Sequence, residues 1–373
     1  MKKSMLSFLA LASASALALA GCAEPPGQTT NSPAPGATNS GSQSAPPATS
    51  DFKACMVSDA GGFDDKSFNE TAYNGMMKAK DELGIAVGEI QSTAEDQYAG
   101  NVQAMIDANC NLVITVGFAL SAATEAAAKQ NPDVKFAIVD FGSFEGVDNA
   151  KGLLFNTAES AFMAGYAAAA MTKTGTVGTF GGTAYPTVTI FMDGFAEGVA
   201  YHNEKKNTTV KLVGWDAEKQ DGQFIGGNAP FDDVPGGKNT AATLISQGAD
   251  IIMPVAGPSG SGALQAAQES NGKVSAIWVD TDGFVSQPDF APVIMTSVEK
   301  AMDVAVFDVI KAAKEGTFSS DPYVGTLENG GVSLAPFHDF EAKMPEGLQA
   351  ELDQVKADII SGTITITSPS QPK

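Results

Sequence analysis

Bases are scarce in this chain. Lys and Arg number 22 against 43 Asp and Glu, a formal charge of -21 over 373 residues. So acidic a surface repels phosphate backbones, which excludes a nucleic-acid partner. Histidine is scarcer still: His202 and His338 are the only two, and they lie far apart. Neither a histidine metal site nor a Ser-His-Asp triad has ready material here. Three cysteines are too few for a disulfide-dense scaffold, a four-thiolate iron–sulfur cluster or an all-cysteine zinc site. There is no G-x-G-x-x-G fingerprint, and Asp59, Asp64 and Asp65 are spaced wrongly for an EF-hand loop. What is plentiful is apolar chain, at 43% hydrophobic residues, enough for one large or two medium domains with real cores.

The first fifty residues read as an address and a tether. Lys2 and Lys3 precede an apolar stretch from Met5 to Ala20, about the length of a signal h-region and too short and Ser/Ala-rich for a stable span. It ends Leu19-Ala20-Gly21-Cys22, small residues before a cysteine, as in a bacterial lipobox. We expect residues 1–21 to be a lipoprotein signal peptide and Cys22 to carry diacyl lipid and a fatty acid such as palmitate. Ordinary signal cleavage beside an incidental cysteine is the alternative. Residues 22–50, rich in Pro, Gly, Ser and Thr, hold one charge, Glu24, and no large apolar side chain. Such a segment cannot bury enough surface to offset its chain entropy, so it is expected to be a disordered tether. The expected location is the cell membrane, lipid-anchored and facing outside the cytoplasm. No later segment looks membrane-spanning.

From residue 52 short apolar runs alternate with helix-like stretches. Strands are expected at 52–58, 85–90, 112–117, 135–140, 152–155, 176–180, 210–215, 250–255, 275–280 and 293–297. Helices are expected at 70–83, 96–109, 121–130, 159–172, 188–203, 240–247, 262–270, 298–315 and 346–361. Apolar strands separated by helices mean parallel sheets covered on both faces, and this many fit two doubly wound α/β lobes better than one sheet.

Ligands of such sheets sit beyond the carboxyl ends of the strands. The first strand is followed by DAGGFDDKSFN (59–69), the third by Gly117-Phe118 and the fourth by Asp140-Phe141-Gly142. In the second half, Ala256-Gly257-Pro258-Ser259 follows one strand and Asp280-Thr281-Asp282-Gly283 another. Carboxylates and phenylalanines recur at these ends, making a site of acceptors and flat apolar faces. Asp64 or Ser67 can cap the helix that opens near Phe68.

The stretch DAGGFDDKSFNETAYNGM resembles the signature of the basic membrane protein family, the purine-nucleoside-receptor type of solute-binding lipoproteins. Further matches follow in order: FNTAESAFMAGYAAA, GADIIMPVAGPSGSGAL, WVDTDG and TSVEKAMDVAV, so that the likeness covers roughly residues 52–335. It implies a periplasmic-binding-protein type I fold, two lobes joined by a three-crossing hinge. Lobe 1 is expected over 51–156 plus about 282–325, and lobe 2 over 157–281 plus about 326–373. It also implies an ABC importer whose permease subunits are the partners, and a neutral nucleoside, most often a purine, held between the lobes. No catalytic residue, metal or cofactor is implied.

Carried over residue by residue, Phe68 matches the ring that stacks on one face of the base and Phe231 the ring on the other. Asp59, Asn69 and Asp140 match contacts to the base; Gly257, Asp280 and Lys300 match the ribose side, with Asp282 the rival to Asp280. Phe118, Phe141 and Glu159 fall near the cleft. A nucleoside offers a flat π-face and hydroxyl donors without charge, which suits such a site. A sugar or autoinducer-like ligand is the closest rival, and a nucleoside-cleaving enzyme is the rival of a different class.

Of the remaining features, Cys55 and Cys110 fall on or beside strands that neighbour each other in a doubly wound order. A disulfide between them fits a compartment outside the cytoplasm, and two buried thiols are the alternative. Trp215 and Trp278 are expected in the core, and His202 and His338 on the surface.

Overall fold

The computed structural model describes residues 51–372. The expected signal peptide, the lipidation expected at Cys22 and the expected tether lie outside the described residues. The strands are β1 (Lys53–Ser58), β2 (Ala86–Ile90), β3 (Leu112–Val116), β4 (Lys135–Val139), β5 (Ala150–Phe155), β6 (Thr176–Gly181), β7 (Lys211–Val213), β8 (Trp215–Asp216), β9 (Asp221–Gly222), β10 (Ile251–Val255), β11 (Ser275–Asp280), β12 (Ile294–Lys300), β13 (Tyr323–Gly325) and β14 (Val332–Leu334). The helices are α1 (Phe68–Leu83), α2 (Tyr98–Asp107), α3 (Ser121–Gln130), α4 (Thr157–Met171), α5 (Pro186–Lys206), α6 (Val234–Ser246), α7 (Ser261–Glu269), α8 (Gly283–Ser286), α9 (Met302–Lys314) and α10 (Leu348–Ile360).

Two six-stranded sheets result, ordered β13-β5-β4-β3-β1-β2 and β14-β12-β11-β10-β6-β7. All pairings within them are parallel except β12 with β14. The central strands β1, β3, β6 and β10 are buried along nearly their whole length, which explains why they read as unbroken apolar runs. Each expected strand has a counterpart. The four that were missed are only two or three residues long, too short to show a periodicity.

The chain passes between the sheets three times: from β5 into α4, from β12 into α9, and from β13 into β14. Glu159 ties two of these passages together. Its carboxylate accepts from Asn156 Nδ2 at 2.8 Å and from the Leu327 backbone N–H at 2.6 Å. It therefore serves the connections and does not line the cleft. The second passage corrects an expectation, because residues 283–300 form α8 and β12 and stay with the second sheet. The return comes at Ala301, not near 282, because β12 pairs with β11. The helix expected over 298–315 likewise starts only at Met302, which leaves Lys300 as the last residue of a strand.

Cys55 on β1 is disulfide-bonded to Cys110. Trp215 and Trp278 are buried. His202 is buried too, against the expectation of a surface position, its ring edge-on to Tyr166 at 5.0 Å. His338 is half-buried, stacked on Phe284 and 2.8 Å from the Asp282 carboxylate. Among the described residues no helix is long and apolar enough to cross a membrane.

Candidate functional site: a cleft between the strand ends

The carboxyl ends of the two sheets face each other across a cleft. On the first-sheet side the loop after β1 turns through Gly61 and Gly62 and enters α1. Ser67 holds the N-cap position of α1 but its side chain makes no cap hydrogen bond. Asp65 accepts the backbone N–H groups of Ser67, Asn69 and Glu70 at 2.9–3.0 Å, satisfying donors that a helix start leaves free. That wrap brings Phe68 and Asn69 to the cleft wall beside Asp59. Asn69 Nδ2 donates to Asp59 at 2.9 Å and to Asp65 at 3.2 Å, while Asn69 Oδ1 is buried without a partner. A buried acceptor left unpaired costs roughly 1–3 kcal/mol, so it is a natural place for a ligand N–H or O–H. After β3, Gly117 has φ 118°, and a Cβ there would lie 2.3 Å from the Asp59 carboxylate. Only glycine lets Asp59 approach that strand end.

Lys300 lies at the centre of the cleft. Its Nζ donates to Asp140 at 2.7 Å and stands 3.5 Å from Asp280, and all three residues are buried. Ser67 Oγ donates to the other oxygen of Asp280 at 3.0 Å. The rings of Phe68 and Phe191 lie about the ammonium at 5.0 and 5.1 Å, within cation–π range. Burial opposes the charge on Lys300, but Asp140 and Asp280 outweigh it and hold its pKa above the usual lysine value. Burial raises Asp140, with Lys300 pulling the other way. Asp59 keeps some solvent contact as a residue, yet its carboxyl is enclosed. Burial pushes it up to about 8, against the Asn69 hydrogen bond and with the help of Asp65, Asp140 and Asp280.

Of the residues expected at the site, Asp59, Phe68, Asn69, Asp140, Phe231, Gly257, Asp280 and Lys300 all line this cleft, as does Phe118. Phe141 lies just beyond, 5.6 Å from the Phe118 ring. Asp282 does not reach the cleft: it caps α8 through the Phe284 N–H and pairs with His338. Of the two, Asp280 is the acid that lines the cleft. Asp65, Tyr185 and Phe191 line the cleft without having been expected there. The rule that finds sites beyond strand ends, applied to β6, would have reached Tyr185. Among the described residues no group of three or more His, Cys, Asp or Glu is arranged to hold a metal ion.

The cleft thus brings together two opposed sheets, an aromatic wall, carboxyl groups and one buried cation. A family model, Bmp, described as "ABC transporter substrate-binding protein PnrA-like", matches residues 52–369. The chain belongs to this family. The ABC transporter nucleoside-binding protein BmpA of Lactococcus lactis subsp. cremoris is 31% identical over 385 residues, covering 99% of this chain and 100% of that protein. Basic membrane protein A of Borreliella burgdorferi is 30% identical over 313 residues, covering 83% and 86%. Among solved structures, an ABC transporter solute-binding protein of Aeropyrum pernix K1 superposes with a TM-score of 0.73 at 27% identity, covering 85% of this chain and 94% of that one. A glucose-galactose binding protein from Geobacillus stearothermophilus matches at a TM-score of 0.54 and 13% identity, a likeness of fold. This member of the Bmp family is therefore an ABC transporter substrate-binding protein with the periplasmic-binding-protein architecture.

Proposed function

We propose that this Bmp-family protein captures a neutral purine nucleoside between two lobes and presents it to the permease subunits of an ABC importer. The observation that carries the reading is the make-up of the cleft: rings of Phe68 and Phe231 among carboxylates, with Lys300 as the single cation lining it. A base is held by stacking, worth roughly 1–3 kcal/mol, and sugar hydroxyls and ring N–H groups donate to the acids. In this reading Asp59, Asn69 and Asp140 meet the base, while Gly257, Asp280 and Lys300 meet the ribose. A nucleotide would bring a phosphate up against Asp140 and Asp280, whose one ammonium is already paired. The lobes, residues 51–156 with 302–325 and 157–300 with 326–372, close about the three passages.

The protein binds without turnover, works outside the cytoplasm and is held to the membrane through lipid on Cys22. Mass spectrometry of small molecules released from the purified protein should find a purine nucleoside, and incubation with inosine should return inosine intact. Recovery of a sugar, or release of free base, would replace this reading. Intact mass of membrane-extracted protein should show an acylated Cys22 at its N-terminus.

A further inference from the structure

Several rings line the cleft, and one of them bridges its two sides in a way the sequence did not indicate. Phe118 stands after β3, in the first sheet. Tyr185 stands after β6, in the second, and its ring lies 5.0 Å from that of Phe118 at an interplanar angle of 34°. On its other side it lies 6.1 Å from Phe231 at 30°. Phe231 is committed to its own half: a Cβ on Gly182 would sit 2.4 Å from its ring, so that ring rests on the β6 loop backbone. Tyr185 is held firmly. Pro186 begins α5 immediately after it, and the Tyr185 carbonyl accepts the N–H groups of Val188 and Thr189, both at 2.9 Å. Burial first, and then the carboxylates of Glu95 and Asp59, raise the pKa of its phenol.

We propose that Tyr185 is a positioning residue that locks the two halves over the ligand by seating its ring on Phe118, and so sets how long the ligand stays. The inference rests on the nucleoside reading for its probe. A ring contact across the cleft forms only when the halves come together. It stabilises the closed state relative to both the open state and the route out. Losing it should therefore speed release while leaving capture by the open form nearly unchanged. An aromatic pair contributes beyond its burial, and truncating this one should raise the release rate about 3- to 30-fold.

The test is stopped-flow binding and release of guanosine, adenosine and inosine by wild type, Tyr185→Ala, Tyr185→Phe, Phe118→Ala and the double alanine variant. Tyr185→Ala should release faster, with the release rate changing by more than the association rate. Tyr185→Phe keeps the ring and should recover most of the residence time. The double variant should be little worse than either single one, because one contact is lost in each case. Unchanged release from Tyr185→Ala, Tyr185→Phe as fast as Tyr185→Ala, or fully additive singles would overturn the inference and leave the nucleoside reading standing. If wild type binds no purine nucleoside, that reading falls and this inference falls with it.

Discussion

Asp140 and Asp280 occupy the same place in the two sheets. Asp140 follows β4 and Asp280 ends β11, and these strands hold matching positions in the two strand orders. Both residues take left-handed backbone conformations, φ 65° and 73°. Such conformations are uncommon outside glycine, though aspartate tolerates them better than most. Lys300 lies within ion-pair distance of both. One cation thus joins the equivalent corners of two sheets, and the strain is concentrated where the halves meet.

Lys300→Met keeps the length of the side chain and removes its charge. Two buried carboxylates then lose their partner, a change that costs about 3–5 kcal/mol. Asp140, already raised by burial, can relieve this by taking up a proton. Removing the cation raises the folded-state pKa of Asp140 further above its unfolded value, so stability in the variant falls as pH rises. Urea unfolding at pH 5 and pH 8 should show a larger deficit at pH 8. An equal deficit at both would mean that the loss comes from packing and not from charge.

Asp59 gives a second pH signature. Its folded pKa of about 8 stands above the ordinary carboxyl value of 3.8. Between these limits the unfolded chain has lost the proton while the folded chain keeps it, so the unfolded state binds fewer protons. Stability therefore falls as pH rises from about 4 to 8 and levels off above. Asp59→Asn removes this titration. Relative to wild type it should gain about 1–3 kcal/mol between pH 4 and pH 8, allowing for solvent near the group. Asp65 and Asp140, also raised by burial, leave a residual slope of the same sign. Unfolding curves of the two proteins that stay parallel across this range would contradict the shift.

The strand ends were legible because a buried parallel strand advertises itself as an apolar run, and whatever follows it must face the cleft. That reasoning reached Asp59, Asp140, Gly257 and Asp280 directly. It could not separate Asp280, the last residue of β11, from Asp282 two positions on, because only the fold shows Asp282 turned towards His338 and the start of α8. Asp65 was hidden for a related reason: which of two adjacent acids wraps the helix start depends on the turn at Gly61 and Gly62. Phe191 lay beyond reach because α5 is buried on several sides, and its sequence has no single apolar stripe to show which face meets the ligand. The α9 boundary failed because TSVEK continues an apolar pattern that a strand and a helix can share.

Asp193 ties the β8–β9 hairpin and the C-terminal segment to α5. This buried carboxylate accepts from Trp215 Nε1 at 2.9 Å, Gln220 Nε2 at 2.7 Å and Ser368 Oγ at 2.5 Å. Asp193→Ala strands the indole N–H and frees the C-terminal segment from α5. Hydrogen bonds to a charged group contribute about 1.5–3 kcal/mol each, but Gln220 and Ser368 can turn to water. The expected loss is about 2–4 kcal/mol by denaturant unfolding. Ser368→Ala, removing one donor of the three, should cost less than half as much. Equal losses from the two variants would show that the tail contact alone carries the effect.

The decisive ligand prediction concerns Phe68. Its ring lines the cleft at the first turn of α1 and holds the Lys300 ammonium at 5.0 Å. Phe68→Ala removes that π-face. Lys300 keeps Phe191, Asp140 and Asp280, so the electrostatic frame of the cleft survives and the lost stacking can be read cleanly. Stacking of roughly 1–3 kcal/mol per base corresponds to an affinity loss of about 5- to 150-fold. The loss should be similar for guanosine, adenosine and inosine, because every purine presents the same kind of π-face. Phe68→Leu restores apolar volume without the ring, so it should recover only the part of the affinity due to burial. Titration calorimetry should also find ribose and GMP binding wild type far more weakly than guanosine, ribose for want of a base and GMP because its phosphate enters a field of carboxylates. Were Phe68→Ala to leave nucleoside affinity untouched, or free ribose to bind as tightly as guanosine, the base would not lie on Phe68 and the sugar reading of the cleft would take its place.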